Sequence, residues 1–267
     1  MRLIVPQETV LITGASSGIG MEFARRLALE GAPLILVARS GDKLEALAAE
    51  LRDKEKVPVR VIVKDLNRPE APREIFDELH RDGVVVDMLI NNAGFGGLGR
   101  FRKIPLERHL QMLQVNVAAL TQLSYLFLPG MIERNRGGLI NIGSTAAFQP
   151  GPNAGVYYAT KAYVLSLSEA LVKEVQGTKV KITCLCPGPT RTNFGEESGM
   201  GSTPIFRYAS MDVGPVVDEG LRGYRRGRAI VVPGFLNRAV IFLLRFTPRA
   251  LVRHIMTARV QPFTDEP

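Results

Sequence analysis

Three residues in the second half of the chain have the types and spacing for acid–base chemistry: Ser144, Tyr157 and Lys161. The run Val156-Tyr157-Tyr158-Ala159-Thr160-Lys161 reads as helix, so Tyr157 and Lys161 lie one turn apart on one face. A phenol then stands beside an ammonium. A free tyrosine titrates near ~10, and a fixed cation nearby is expected to lower that value. A phenol tuned in this way gives a proton to a carbonyl oxygen, or takes one from an alcohol, near neutral pH. Ser144 is placed to hydrogen-bond the same oxygen. Tyr158, three residues from Lys161 rather than four, is the poorer partner.

Such a group needs something to react with, and the N-terminal end offers it. Residues 9–14 form a short apolar run ending in Gly14; Gly18 and Gly20 follow, then the amphipathic stretch from Met21 to Glu30. Strand, glycine-rich turn and helix together present bare backbone N–H groups and a helix N-terminus to a pyrophosphate. The glycines allow a tight bend and close approach without a Cβ. The spacing is TGxxxGxG, from Thr13 to Gly20, with Ala15, Ser16 and Ser17 between the first two glycines.

With Thr13 to Gly20, Asp65-Leu66, Asn91-Asn92-Ala93-Gly94, Asn116, Ser144, Tyr157 with Lys161, and Pro187-Gly188 in this order, the chain resembles the short-chain dehydrogenase/reductase family in its single-domain form. The motifs span roughly residues 5 to 195. The resemblance implies a catalytic tetrad of Asn116, Ser144, Tyr157 and Lys161, and hydride transfer to or from a nicotinamide. Asn116 would position a water in a proton relay. Lys161 would also hold the nicotinamide ribose. The cofactor would meet Gly14, Ser16, Ser17, Gly18, Ile19 and Gly20 at the phosphates, and Asp65 and Leu66 at the adenine. Asn92, Ala93 and Gly94, after Asn91, would form a floor under the ribose. Pro187 and Gly188 would stand beside the nicotinamide, with Thr190 and Thr192 available to its carboxamide or to the phosphates.

The second strand, Leu34 to Val37, ends in Ala38-Arg39-Ser40, where an NAD enzyme usually carries a carboxylate for the ribose 2′-hydroxyl. A guanidinium here pairs instead with a 2′-phosphate through two parallel hydrogen bonds, and Ser40 and Ser16 add neutral ones. The expected cofactor is NADP(H).

At 267 residues the chain is long enough for a sizeable core. Apolar β-rich runs near residues 9, 34, 59, 87, 138, 180 and 229 alternate with helical stretches at 42–54, 69–81, 106–134 and 155–176. The expected fold is α/β: residues 1–267 as a single doubly wound Rossmann-like domain, with a seven-stranded parallel sheet and helices on both faces. Cys184 and Cys186 alternate within a central strand and read as buried thiols of a reducing compartment. His80, His109 and His254 have no ligand spacing, and no metal is assigned. The N-terminus lacks a secretory pattern, so a cytoplasmic location is expected.

Residues 190–211, rich in Gly, Ser, Thr and Pro but carrying Phe194, Ile205, Phe206 and Tyr208, read as a lid loop over the substrate. Phe148, with Gln149 and Pro150, is expected to form the facing wall. Such a lining suits a hydrophobic ketone or aldehyde and its alcohol. The remaining segment, 220–267, is a basic extension: Gly220 to Val260 holds nine arginines and no acidic residue, against a net charge of +8 for the whole chain. Its uses stay open among lid, subunit interface and peripheral contact with an anionic membrane. Nucleic-acid binding is disfavoured, because no recognition motif accompanies the charge. A homodimer or homotetramer is implied by resemblance. The alternative to an NADP(H)-dependent oxidoreductase is a catalytically silent NADPH-binding scaffold or redox sensor, which would have no use for Tyr157 and Lys161 at this spacing.

Overall fold

A computed structural model describes residues 8–260, without the side chains at 205, 207, 208 and 258–260. The expectations for Ile205 and Tyr208, and for Arg259 in the basic segment, therefore fall outside the described side chains.

Seven short runs form one sheet: β1 (Val10–Thr13), β2 (Leu34–Ala38), β3 (Val59–Val63), β4 (Met88–Asn91), β5 (Gly138–Ile142), β6 (Lys181–Leu185) and β7 (Ile230–Val231). Their order is β3-β2-β1-β4-β5-β6-β7, with every pair parallel. Strands β1, β2, β4 and β5 are buried throughout, which is why their sequences are continuous apolar runs rather than alternating ones. The strand order reverses between β1 and β4. Connections there leave in opposite directions and open a crevice at the strands' carboxyl ends.

Helices α1 (Gly18–Leu29), α2 (Gly41–Glu55) and α9 (Val213–Arg225) cover one face of the sheet. Phe23, Leu27, Leu44, Leu47, Val217 and Leu221 belong to the core on that side. The other face carries α3 (Ala71–Arg81), α5 (Leu120–Glu133) and α6 (Gly155–Glu174), with Ile75, Leu79, Leu123, Phe127 and Met131 in its core.

The helix expected over 106–134 is present but interrupted. It runs as α4 (Leu106–Leu113), a π-helical turn (Gln114–Ala119) and then α5. By length and composition alone Leu106–Glu133 could cross a membrane. Its α5 half is a core helix, with Leu123, Phe127 and Met131 buried against the sheet and Leu120 in a neighbouring cluster.

The segment expected as a lid loop is mostly short helices: α7 (Phe194–Glu197), a 3₁₀ turn (Met200–Ser202) and α8 (Pro204–Ala209). Its ends meet, with Met211 N donating to Pro189 O at 2.9 Å and Arg191 N to Met211 O at 2.8 Å. A compact loop closed at its base is packed by its own side chains. Beyond α9 and β7 the basic segment folds as α10 (Phe235–Leu244) and α11 (Arg249–Val260), separated at Pro248.

Candidate active site

The cofactor half is built on Thr13, at the end of β1. Its hydroxyl accepts hydrogen bonds from the N–H groups of Asn92 and Ala93, both at 3.0 Å. The Asn92 amide in turn donates to the carbonyls of Thr13 (2.9 Å) and Gly14 (3.1 Å). These bonds lock the ends of β1 and β4 together and fix the glycine turn above them. Gly14 and Gly18 have φ of +64° and +53°, the left-handed region that favours glycine. A Cβ on Gly14 would also stand 2.9 Å from Ala93 Cα.

The turn opens onto a cavity of about 630 Å³ lined by Gly14, Ser16, Ser17, Gly18 and Ile19. The unpaired N–H groups at the start of α1 give this end an affinity for phosphate. Gly20, expected at the cofactor, is not in the lining; a Cβ there would meet Asn92 Nδ2 and Gly14 O, each at 2.4 Å. Its role is to let α1 pack against the turn. Asn91 is likewise withdrawn, donating to Asn141 Oδ1 at 2.9 Å and Ser124 Oγ at 3.1 Å inside the sheet.

At the far end of the same cavity, Arg39 and Ser40 follow β2 and line it, together with Lys43 in the first turn of α2. Arg39 and Lys43 are exposed and make no ion pair among the described residues. Two uncommitted cations at the end of β2 suit a phosphate dianion. Lys43 went unnoticed in the sequence, although its place four residues past Arg39, just inside a helix, was the available signal. Asp65 and Leu66 line the cavity too, and the Asp65 carboxylate caps its own turn by accepting from Asn67 N at 3.0 Å. Asn92, Ala93, Gly94, Pro187, Gly188, Thr190 and Thr192 complete the wall. These groups fit a dinucleotide phosphorylated on its adenosine ribose.

The reacting groups stand at the opposite end. Ser144 ends the segment after β5, and its hydroxyl accepts from Ala146 N at 3.1 Å, starting a 3₁₀ turn (Thr145–Phe148). Tyr157 and Lys161 occupy the first turns of α6, both buried and both lining the cavity. Lys161 Nζ donates to Ile142 O at 2.8 Å and lies 5.8 Å from the centre of the Tyr157 ring.

The expected lowering of the phenol by this amine is not found. Burial pushes the Tyr157 phenol well above its ordinary value, opposed by the neighbouring Ser144 hydroxyl. Burial also lowers the Lys161 ammonium, to about 8, because desolvation penalises each charged form. Spacing along a helix gave proximity correctly but could not weigh it against burial.

Asn116 sits in the π turn, a distortion often found at functional sites. Its Oδ1 accepts from Phe95 N at 3.1 Å, and its Nδ2 donates to Phe95 O at 2.9 Å and Thr160 Oγ1 at 3.1 Å. The side chain ties the Gly94–Phe95 strand extension to α6, and it is not in the cavity lining.

On the substrate side, Phe194 and Phe206 line the cavity as expected, joined by Met200 and Glu197 from the lid. The Phe194 ring stands 5.5 Å from that of Tyr157 and stacks on Phe206 at 6.5 Å. Phe148, expected in the facing wall, is not there. The 3₁₀ turn rotates it into the cluster of Leu120, Val164, Leu165, Cys184 and Cys186. Of the expected wall Gln149 alone lines the cavity, Pro150 being absent from the lining as well; Tyr158, Phe95 and Arg108 join it. The Arg108 guanidinium lies 4.2 Å above the Phe95 ring. Sequence reading passed over Phe95 and Arg108 because neither falls in a motif.

A parallel sheet with its crevice at the β1/β4 reversal, a glycine turn at one end and Ser, Tyr and Lys at the other define an oxidoreductase of the nucleotide-binding α/β class. The profile of the short chain dehydrogenase family matches residues 8–201, and the chain belongs to that family. It is 38% identical over 180 residues to the NADP-dependent 3-hydroxy acid dehydrogenase of Salmonella typhi, covering 67% of this chain and 71% of that one. Among solved structures it is similar to a short-chain dehydrogenase from Sphingobium yanoikuyae in complex with NADPH. That likeness has a TM-score of 0.82 and 33% identity, over 97% of this chain and 98% of the other. The bulky-bulky ketone specific alcohol dehydrogenase from Comamonas testosteroni matches with a TM-score of 0.77 and 31% identity, over 92% and 97% of the two chains.

Proposed function

We propose that this protein is an NADP(H)-dependent reductase of apolar ketones or aldehydes, with Tyr157 as the proton donor. The observation that carries the reading is Tyr157, buried beside Ser144 at the end of a cavity whose other end holds Arg39 and Lys43. When bound, the nicotinamide supplies the hydride. The chain's own residues do the rest. Ser144 holds the carbonyl oxygen, and Tyr157, kept protonated at neutral pH by its burial, gives that oxygen a proton. Lys161 places positive charge behind the phenol as negative charge builds. Asn116 sets the Phe95 backbone and α6 at a fixed separation through its three hydrogen bonds.

The apolar substrate class is supported by Phe194, Phe206, Met200 and Phe95 around the reacting end. The relatives point both ways, one named for hydroxy acids and one for bulky ketones. NADPH oxidation screened against ketones, aldehydes and 3-oxo acids tests the reading. Tyr157→Phe should bind NADPH as the wild type does and lose turnover by at least ~100-fold. Wild-type turnover in that variant would overturn the assignment, and binding without turnover of any carbonyl by the wild type would favour a silent scaffold.

The same reading includes a homo-oligomer. Leu106, Leu110 and Leu113 are exposed at one-turn spacings along α4, with Tyr125 on α5 and Tyr163 on α6 also exposed. Light scattering on a Leu110→Glu variant checks this: a fall in mass supports the contact, an unchanged mass removes it.

A further inference from the structure

Among the described residues, a further exposed apolar surface belongs neither to the site nor to the α4–α6 stripe. On α10, Phe235, Leu236, Phe242 and Leu243 fall on one side of the helix, and Phe246 continues that side just past its end. Phe235, Leu236 and Phe246 are 76%, 77% and 73% exposed, far beyond what a helix end in water ordinarily presents. On α11, Leu251 and Ile255 are exposed as well. The pair is not loose. Ile241, Val252 and Met256 are buried beneath it, and Val252 and Met256 join the cluster that holds Tyr157 and Tyr158 and packs against Phe194 and Phe206. The inner residues anchor the helices, and the outer ones have no part in that packing.

Arginines flank the apolar residues on the same two helices. Arg245, Arg249 and Arg253 are exposed and make no ion pair among the described residues, whereas Arg238 is held by Glu219 at 3.1 Å. No acidic residue occurs between Gly220 and Val260. A second copy seated face to face on this surface would set arginine against arginine. A nucleic-acid duplex would satisfy the guanidiniums with its phosphates and leave the phenylalanines in water. An anionic lipid surface meets both, offering phosphates to the arginines and hydrocarbon to the rings. With ten residues in α10, the helix can lie in the interface but not span it.

We propose that α10 and α11 form a docking face for an anionic membrane surface, bringing the lid side of the cavity against the bilayer. The inference does not depend on the identity of the substrate.

Co-sedimentation of the full chain with vesicles tests it, comparing phosphatidylcholine alone with phosphatidylcholine carrying about a third phosphatidylglycerol at about 0.1 M salt. Binding should be at least roughly tenfold stronger to the anionic vesicles and should fall as salt rises to about 0.5 M. Phe242→Glu/Leu243→Glu should abolish binding. Arg245→Glu/Arg249→Glu/Arg253→Glu should abolish the preference for anionic lipid. NADPH binding, read by fluorescence, should be unchanged in both.

Absence of pelleting, equal pelleting with both vesicles, or retention of wild-type binding by the variants would overturn the proposal. So would a drop in mass of Phe242→Glu/Leu243→Glu in sedimentation velocity without any vesicle binding by the wild type, which assigns the face to a second copy. The salt titration on the wild type decides the matter even where a variant fails to fold.

Discussion

The two ends of the cavity are built by different means. The cofactor end is made of backbone: the left-handed turns at Gly14 and Gly18, the Thr13 clamp on β4, and the N–H groups opening α1. The substrate end is made of side chains from separate elements: Phe194 and Met200 from the short helices of the lid, Tyr158 from the long α6 and Phe95 from the loop after β4. Backbone recognition leaves little freedom, because a Cβ in the wrong place collides. Side-chain recognition leaves the frame intact when a ring is exchanged. The first end therefore defines a chemistry, and the second can be refitted to a new substrate.

The sharpest way to break this contrast is at Gly20. Its Cβ would overlap Asn92 Nδ2 and Gly14 O, with no flexible side chain able to yield without breaking the clamp. Gly20→Ala should cost about 3 kcal/mol or more, a fall in Tm of roughly 6–12 °C for a chain of this size. NADPH binding should fall with it, although Gly20 lines no part of the cavity. Thermal unfolding measures the first effect and fluorescence titration the second; unchanged values would show that the turn is less constrained than argued.

Arg39 comes next in size. Replacing the guanidinium by a carboxylate in Arg39→Asp removes charge-assisted bonds worth about 2 kcal/mol, a loss of roughly 30-fold in kcat/KM for NADPH. NADH should be used no worse, and preference should move towards it. If Lys43 carries half of the contact, Arg39→Asp alone will fall short and Lys43→Ala will add to it.

How much of this was legible in the chain follows from the same contrast. The turn from Thr13 to Gly20 could be read because backbone geometry restricts which residues can occupy it, and Arg39 because a strand end has a known position over the adenosine ribose. The sheet was legible for the same reason: fully buried strands are continuous apolar runs. Phe148 misled because its direction depends on a 3₁₀ turn that begins with the Ser144 hydroxyl, a contact invisible to spacing. The phenol misled because burial is set by everything packed around α6, not by Lys161 alone. The π turn at Asn116 carries no sequence pattern at all, and the lid was recognised by composition while its short helices were not.

The pH dependence of the reaction sharpens the comparison at the reacting end. Lys161 has its value lowered from 10.5 to about 8, so its positive charge is present below that pH and lost as pH rises through it. Tyr157 is raised, so it stays protonated over the same window. For carbonyl reduction, kcat/KM should be flat below about 8 and fall above it by up to about tenfold per unit, the limb belonging to the lysine rather than the tyrosine. Lys161→Arg keeps the charge at all accessible pH and should remove that limb even where it lowers the plateau. A limb unchanged in Lys161→Arg would return the titration to Tyr157.

The smallest effect separates two phenylalanines of the same chain. Phe194 faces the cavity 5.5 Å from the Tyr157 ring, while Phe148 packs into the cluster with Leu120 and Val164. Phe194→Ala should raise KM for an apolar ketone by several-fold, since a methylene-sized contact in such a pocket is worth about 1 kcal/mol, and lower Tm only modestly although the ring also packs against the cluster around Tyr157. Phe148→Ala should do the reverse, costing about 1–2 kcal/mol of stability for a half-buried ring with KM unaltered, because the ring packs on protein and does not line the cavity. Steady-state kinetics and thermal unfolding on the pair give a two-by-two result. If both variants shift KM, the 3₁₀ turn opens in solution and the facing wall includes Phe148 after all; if neither does, the apolar specificity resides in Met200 and Phe206 rather than in the ring nearest the phenol.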